Sequence, residues 1–254
     1  MFNEKFLDRV VVVLVRARNP SNIGAVARAM HDFGFRHLRV VNEFVVPFEA
    51  AKSAVDASAV LAAAQSYDNV AAAVADCTLV VGTTAVGERV LQHPLQALPE
   101  AAAGMLGHLA RETEKGLVAL LFGSEKTGLS NEELSHCGSL LTIPMEEHEE
   151  LRHPSMNLGQ AVAVCLYELV RTAGLELDPA LLRGPSPAGM AEVERVALLL
   201  NDLLEKGGYK RHHPANSEVE DIRRLVVRMG LTATDVPVWM GIVRQLLWSI
   251  SQTK

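Results

Sequence analysis

Cysteine is scarce in this 254-residue chain, and the three present (Cys77, Cys137 and Cys165) stand far apart with no CxxC spacing. That pattern reads as reduced core thiols and no metal site. Long apolar runs are missing too. Val10–Val15 is a run of six, which suits a buried strand and falls far short of the ~20 residues that span a bilayer. The charged MFNEKFLDRV before it has neither the flanks nor the length of a signal peptide. A soluble, cytoplasmic protein is expected. Aromatics are only 5 % of residues, whereas hydrophobic residues reach 49 %, with Ala and Val dominating. That supplies ample material for a core, with an α/β flavour rather than that of an all-β sandwich. The length fits one large domain plus a minor one. No internal repeat or low-complexity tract is visible.

An overall positive charge is also lacking. The net charge is −6, which at first sight argues against a nucleic-acid partner. The distribution qualifies that: residues 207–254 carry seven Lys/Arg against four Asp/Glu, so the rest of the chain is the acidic part. A basic tail on an acidic body is compatible with phosphate binding.

What is present alternates. Strands are predicted at Val10–Val15, Leu38–Val41, Thr78–Val81, Leu117–Phe122 and Leu140–Ile143. Helical patterns fall near Ile23–Phe33, Ala50–Ala64, Asn69–Ala75, Leu98–Glu112, Ser130–His136 and Met156–Arg171. Such alternation predicts a parallel sheet flanked by helices, with ligands bound beyond the carboxyl ends of its strands. Residues 1–172 are read as this domain and the Pro- and Gly-rich 173–190 as a linker. Residues 191–254 form a small helical domain, with amphipathic patterns at Ala191–Lys206, Val219–Met229 and Pro237–Ile250.

Three loops could carry chemistry. The first, Asn19-Pro-Ser-Asn-Ile-Gly-Ala-Val-Ala-Arg28-Ala-Met30, opens a helix that Ser21 or Asn22 could cap. Val26, Met30 and Phe33 make its buried stripe, which turns Arg28 away from the core. The small Ala25, Ala27 and Ala29 around Arg28 suit close packing against something else, such as a second subunit, although taken alone the segment also reads as an ordinary helix with a surface arginine. The second loop, Leu121-Phe-Gly-Ser-Glu-Lys-Thr-Gly-Leu-Ser-Asn-Glu-Glu, has Gly123 after an apolar strand and a capping box at Ser130 and Glu133. It lacks the Lys-Ser/Thr pair of a phosphate loop, and no GxGxxG follows a strand anywhere. In the third, Pro154-Ser-Met-Asn-Leu-Gly-Gln, Ser155 is a natural N-cap and Asn157 sits in the first turn, able to reach outward. His148 and His153 do not make HExxH and read as loop residues.

In the order N-x-G-x-x-A-R-A, F-G-S-E-x-x-G-L and I-P…S-x-N-L, residues 10–171 resemble the SPOUT methyltransferases of the TrmH group. The Gly82-Thr-Thr-Ala85 stretch recurs there as well. The arrangement is most similar to the TrmJ subfamily, whose C-terminal extension has counterparts here in Gly208-Tyr209, Pro214, Arg223-Arg224 and Arg228.

The resemblance implies an α/β SPOUT fold with a C-terminal trefoil knot, S-adenosyl-L-methionine (SAM) as cofactor, and a homodimer whose active sites are shared. Thr83, Thr84, Ala85, Gly123, Ile143, Pro154, Ser155 and Met156 should hold SAM. Asn22, Arg28, Glu125, Ser155 and Asn157 should line the methyl-transfer site. No metal is implied. Because a guanidinium keeps its proton in proteins, Arg28 is expected to orient a ribose 2′-hydroxyl and stabilise the developing alkoxide.

The implied substrate is tRNA, at the first anticodon-loop nucleotide (position 32, cytidine or uridine). Ribosomal RNA or another tRNA site is the alternative within the class, and a catalytically silent RNA-binding dimer the one outside it. Three departures stand out. Val86, Gly87 and Glu88 precede Arg89 where the family commonly places arginines, residues 145–154 are long and acidic, and Met156 replaces the usual Leu.

Overall fold

The structure is a computed structural model that describes residues 4–42, 58–85, 91–111, 116–146, 156–175, 178–182 and 184–252. Seven strands form one sheet: β1 (Val10–Val15), β2 (His37–Val41), β3 (Gln65–Tyr67), β4 (Cys77–Thr83), β5 (Leu95–Ala97), β6 (Leu117–Phe122) and β7 (Ser139–Thr142). Their order is β3-β2-β1-β6-β4-β7-β5 and every pairing is parallel. Eleven α-helices are described: α1 (Glu4–Leu7), α2 (Pro20–Asp32), α3 (Ser58–Ala62), α4 (Val70–Ala73), α5 (Leu98–Arg111), α6 (Asn131–Leu134), α7 (Leu158–Ala173), α8 (Met190–Lys206), α9 (Tyr209–His212), α10 (Val219–Arg228) and α11 (Asp235–Gln252).

The all-aliphatic β1 follows from its place. It pairs with β2 and β6 and is buried along its whole length, and a parallel strand covered on both faces has no position for a polar residue. Side chains alternate across a strand, and β1 divides accordingly. Val10, Val12 and Leu14 enter a core with α2, α3, α5 and α7. Val11, Val13 and Val15 enter a second core with α4, α6, α8, α10 and α11.

The C-terminal helices therefore cover the second face of the sheet. Val193, Val196, Val226, Val236 and Met240 are buried there beside Val80, Leu121 and Leu140. Polar contacts fasten them: buried Arg223 donates to Glu194 (2.7 Å) and to Ser135 Oγ (2.9 Å) just after α6. The 173–190 stretch, read as a linker, holds a 3-10 turn at Pro179–Leu182 and the buried Ala188, whose N–H donates to Leu231 O at 2.8 Å.

β7 lies between β4 and β5, so the chain re-enters the sheet between two strands that precede it in sequence. Whether the segment after β7 threads a loop, as the expected knot requires, depends on residues 147–155, outside the described residues.

Candidate active site

A cavity of about 360 Å³ opens at the carboxyl ends of β4, β6 and β7. That is where a parallel sheet binds ligands, and the volume is that of a small-molecule site. Thr83, Thr84 and Ala85 line it from β4, Gly123 and Glu125 from β6, Ile143 from β7, and Met156 from the approach to α7. Six of the eight residues expected to hold a cofactor are thus brought together, and Glu125 joins them. Pro154 and Ser155, the other two, lie outside the described residues, as do His148, His153 and Arg89.

The wall after β6 is shaped by two glycines. A Cβ on Gly123 would stand 2.1 Å from Gly128 C and 2.3 Å from Leu129 N, so only glycine lets the loop fold back over the strand end. Gly128 has φ +65°, left-handed backbone that side chains disfavour. Between them, Gly128 N–H donates to Ser124 O at 2.9 Å and closes the turn. On the opposite wall, Thr83 Oγ1 donates to Leu121 O (2.9 Å) and Thr84 N–H to Leu141 O (3.0 Å), which anchors β4's end to both neighbouring strands. The lining mixes backbone with the apolar Phe122, Ile143, Met145 and Met156. It suits a ligand with a flat apolar part and polar edges.

Three of the expected catalytic side chains meet in a line beside the cavity. Asn157 Nδ2 donates to Asn22 Oδ1 at 3.2 Å, and Asn22 Nδ2 donates to Glu125 Oε1 at 2.8 Å. The helix caps differ from expectation, and the difference explains the line. Asn19, not Ser21 or Asn22, caps α2, its Oδ1 accepting from Ser21 N–H at 2.9 Å with Pro20 in the first turn. Asn22 is thereby released to bridge. Asn157, not Ser155, caps α7, its Oδ1 accepting from Gly159 N–H at 2.9 Å. One end of the Asn157 amide thus fixes the helix and the other fixes Asn22.

Arg28 is not in the line. It lies exposed on α2, turned from the core as its helical position requires, and makes no hydrogen bond or ion pair among the described residues. Its alanine neighbours pack against other parts of the same chain. Ala27 and Ala29 are buried in the chain's own core, and Ala25 receives α7 so closely that a Cβ on Gly159 would stand 2.7 Å from it.

Sequence reasoning missed Arg16. It directly follows β1 with φ 57°, the one non-glycine residue at positive φ among the described residues, a conformation that costs about 1–3 kcal/mol. Its side chain crosses to the loop after β6 and pairs with Glu133 at 2.6 Å. The signal is absent from the sequence because the partner is 117 residues away.

The cysteines contribute no nucleophile. Burial pushes the Cys77 and Cys165 thiols up to about 12 and Cys137 higher still. No group of His, Cys, Asp or Glu that could hold a metal occurs among the described residues, and no helix there is long and apolar enough to cross a membrane.

Fold and site together define a parallel α/β enzyme with its ligand cavity beyond the strand ends. The chain belongs to the SpoU methylase family: the profile of the SpoU rRNA Methylase family matches residues 9–167. Its members are SAM-dependent methyltransferases.

The chain is similar to the tRNA (cytidine/uridine-2′-O-)-methyltransferase TrmJ of Yersinia enterocolitica, 32% identical over 247 residues (94% of this chain, 92% of the relative). To the TrmJ of Pectobacterium atrosepticum it is 33% identical over 252 residues, covering 97% and 98%. Among solved structures it resembles TrmJ from Z. mobilis, with a TM-score of 0.77, 29% identity, and coverage of 93% and 98%.

Proposed function

We propose that this chain is a SAM-dependent methyltransferase acting on the 2′-hydroxyl of cytidine or uridine in tRNA, in the cytoplasm, as a homodimer. The observation that carries the reading is the Asn157–Asn22–Glu125 line standing beside the cavity. The names of the relatives support the nucleosides and the RNA class, and the resemblance to the TrmJ subfamily suggests the first nucleotide of the anticodon loop as the site. The three free, buried cysteines fit a reducing compartment. The insertion of β7 between β4 and β5 supports a knotted arrangement.

The residues present fit the cofactor. Thr83–Ala85 form a polar edge of the cavity, Ile143 and Met156 offer apolar faces, and Gly123 admits a close fold of the loop where a Cβ would clash with its backbone. Pro154 and Ser155 would complete the cradle. SAM supplies an electrophilic methyl on a sulfonium. The chain's own part is to place the ribose hydroxyl in line with it and exclude water, and positioning of this kind is worth ~7–11 kcal/mol.

Asn22 and Asn157, locked to each other and to Glu125, form a rigid polar edge for the ribose, and the family resemblance adds Ser155 to the transfer site. Arg28 orients the hydroxyl and stabilises the developing alkoxide from the second subunit, aided by a phosphate of the RNA, and the proton leaves to solvent. Its exposure and its freedom from partners among the described residues support action on a neighbouring site.

The test is to incubate the pure protein with labelled SAM and unmodified bulk tRNA, then map the methyl by nuclease digestion and mass spectrometry. A 2′-O-methyl on an anticodon-loop cytidine or uridine is expected. Transfer to ribosomal RNA alone would move the substrate, and absence of SAM binding would overturn the reading.

A further inference from the structure

Arg16 ties together three pieces of chain that meet only in the fold. Its Nε donates to Glu133 Oε1 at 2.6 Å, and its Nη2 donates to Glu133 Oε2 at 2.9 Å and to the carbonyl of Gly128 at 2.9 Å. Nη1 reaches Thr127 Oγ1 at 3.4 Å. Glu133 is buried and at the same time accepts from Ser130 N–H, as half of the capping box that starts α6. One guanidinium therefore joins the end of β1, the left-handed glycine of the loop after β6, and the first turn of the next helix. Thr127, Gly128 and Leu129 line the cavity, whereas Arg16 does not.

We propose that Arg16 is a positioning residue for the SAM pocket: by holding the Gly128 carbonyl, the Thr127 hydroxyl and Glu133 at once, it fixes the curvature of the loop that walls the cavity. The inference rests on the reading of that cavity as the SAM pocket. Two observations carry it beyond a fold-stapling role. The backbone at residue 16 is one that glycine adopts without strain and arginine does not, so the side chain has a use that outweighs the strain. Its bonds also divide between the carboxylate that starts α6 and atoms of the pocket wall itself. A planar fork with fixed donor directions serves such a divided set, and a point-charge ammonium does not. Through Ala17 and Asn19, the same strand end leads directly into α2 and Asn22, so the tie also sets the distance between pocket wall and transfer site.

The test uses the full chain and calorimetric binding of SAM and of S-adenosylhomocysteine. Arg16→Gly removes the fork while relaxing the backbone, and Arg16→Lys keeps the charge without the fork. Both are expected to bind SAM about tenfold or more weakly, the loss of charge-assisted hydrogen bonds, with tRNA binding unchanged. Glu133→Gln should weaken SAM binding similarly, and its combination with Arg16→Gly should be no worse than either alone, the non-additivity of groups that act through one contact.

Ala161→Phe, which fills the cavity, separates the two levels. If it binds SAM like the wild type, the pocket assignment falls and the positioning role falls with it. If it abolishes binding while Arg16→Lys and Arg16→Gly match the wild type, the pocket stands and the role of Arg16 is overturned. Should Arg16→Gly fail to fold, a wild-type affinity in Arg16→Lys alone overturns it.

Discussion

The side-chain amide of Asn22 donates to Glu125 Oε1 at 2.8 Å, joining a residue of α2 to the loop that walls the cavity across 103 residues of sequence. Asn157 holds the other side of the same amide, so Asn22 cannot rotate without breaking contacts in both directions. Asn22→Ala should therefore lower the methyl-transfer rate by ~100-fold, the scale on which a misplacement of one ångström acts. SAM affinity should hardly move, because Asn22 does not line the cavity. Single-turnover rates beside SAM affinities check this, and an unchanged rate would remove Asn22 from the transfer site.

Much of this arrangement is legible in the sequence, and what is not has physical causes. The aliphatic Val10–Val15 admits one reading, and β1 occupies those residues. Gln65–Tyr67 and Leu95–Ala97 escape because each is three residues long at a sheet edge, too short for a period and not enclosed on both sides. Amphipathic patterns show that α8, α10 and α11 bury a face, but a pattern does not say against what, and the answer is the sheet. Capping went astray because Asn19, Ser21 and Asn22 are all good caps. Only the fold, by giving Asn22 a partner in Glu125, decides between them. Arg16 needs a strained φ and a distant carboxylate, neither of which has a local signature.

Arg28 tests the shared site. If it serves the second subunit, Arg28→Ala and Glu125→Ala will each be nearly inactive alone, yet will complement when mixed after unfolding and refolding together. Each mixed dimer then holds one site with both groups intact. About a quarter of wild-type activity should return, since statistical pairing gives half mixed dimers with one good site of two. No recovery in demonstrably mixed dimers would place Arg28 with its own chain's cavity. Arg28→Lys should stay well below the wild type, and near-normal turnover would show that the fork geometry is not used.

Two glycines of one loop should respond differently. In Gly123→Ala the new methyl would meet backbone at 2.1 Å, which no rotamer relieves. The loop must move, with a stability loss of about 1–3 kcal/mol and SAM binding lost. In Gly128→Ala the methyl meets nothing within 4 Å, so the cost is the left-handed backbone alone, ~1–2 kcal/mol, and SAM binding persists in weakened form. Denaturant midpoints and SAM affinities of the pair decide. Equal behaviour would mean that the close approach at Gly123 does not shape the pocket.

His108 gives the fold a pH dependence of known sign. Its ring is buried on α5, with Nε2 hydrogen-bonded to Thr78 Oγ1 at 2.8 Å. Burial, aided by Arg111 and Arg9, holds its pKa down to about 4 from the ordinary 6.5. Between those values the unfolded chain takes up a proton that the folded chain refuses. Stability is thus fully present above about 6.5 and is lost as pH falls toward about 4, at up to ~1.4 kcal/mol per pH unit for this one group. His108→Gln has no proton to gain. Its urea midpoint should be lower than the wild type's near neutral pH, and the gap should narrow on acidification. Parallel falls in the two proteins would mean that His108 is not the group that titrates.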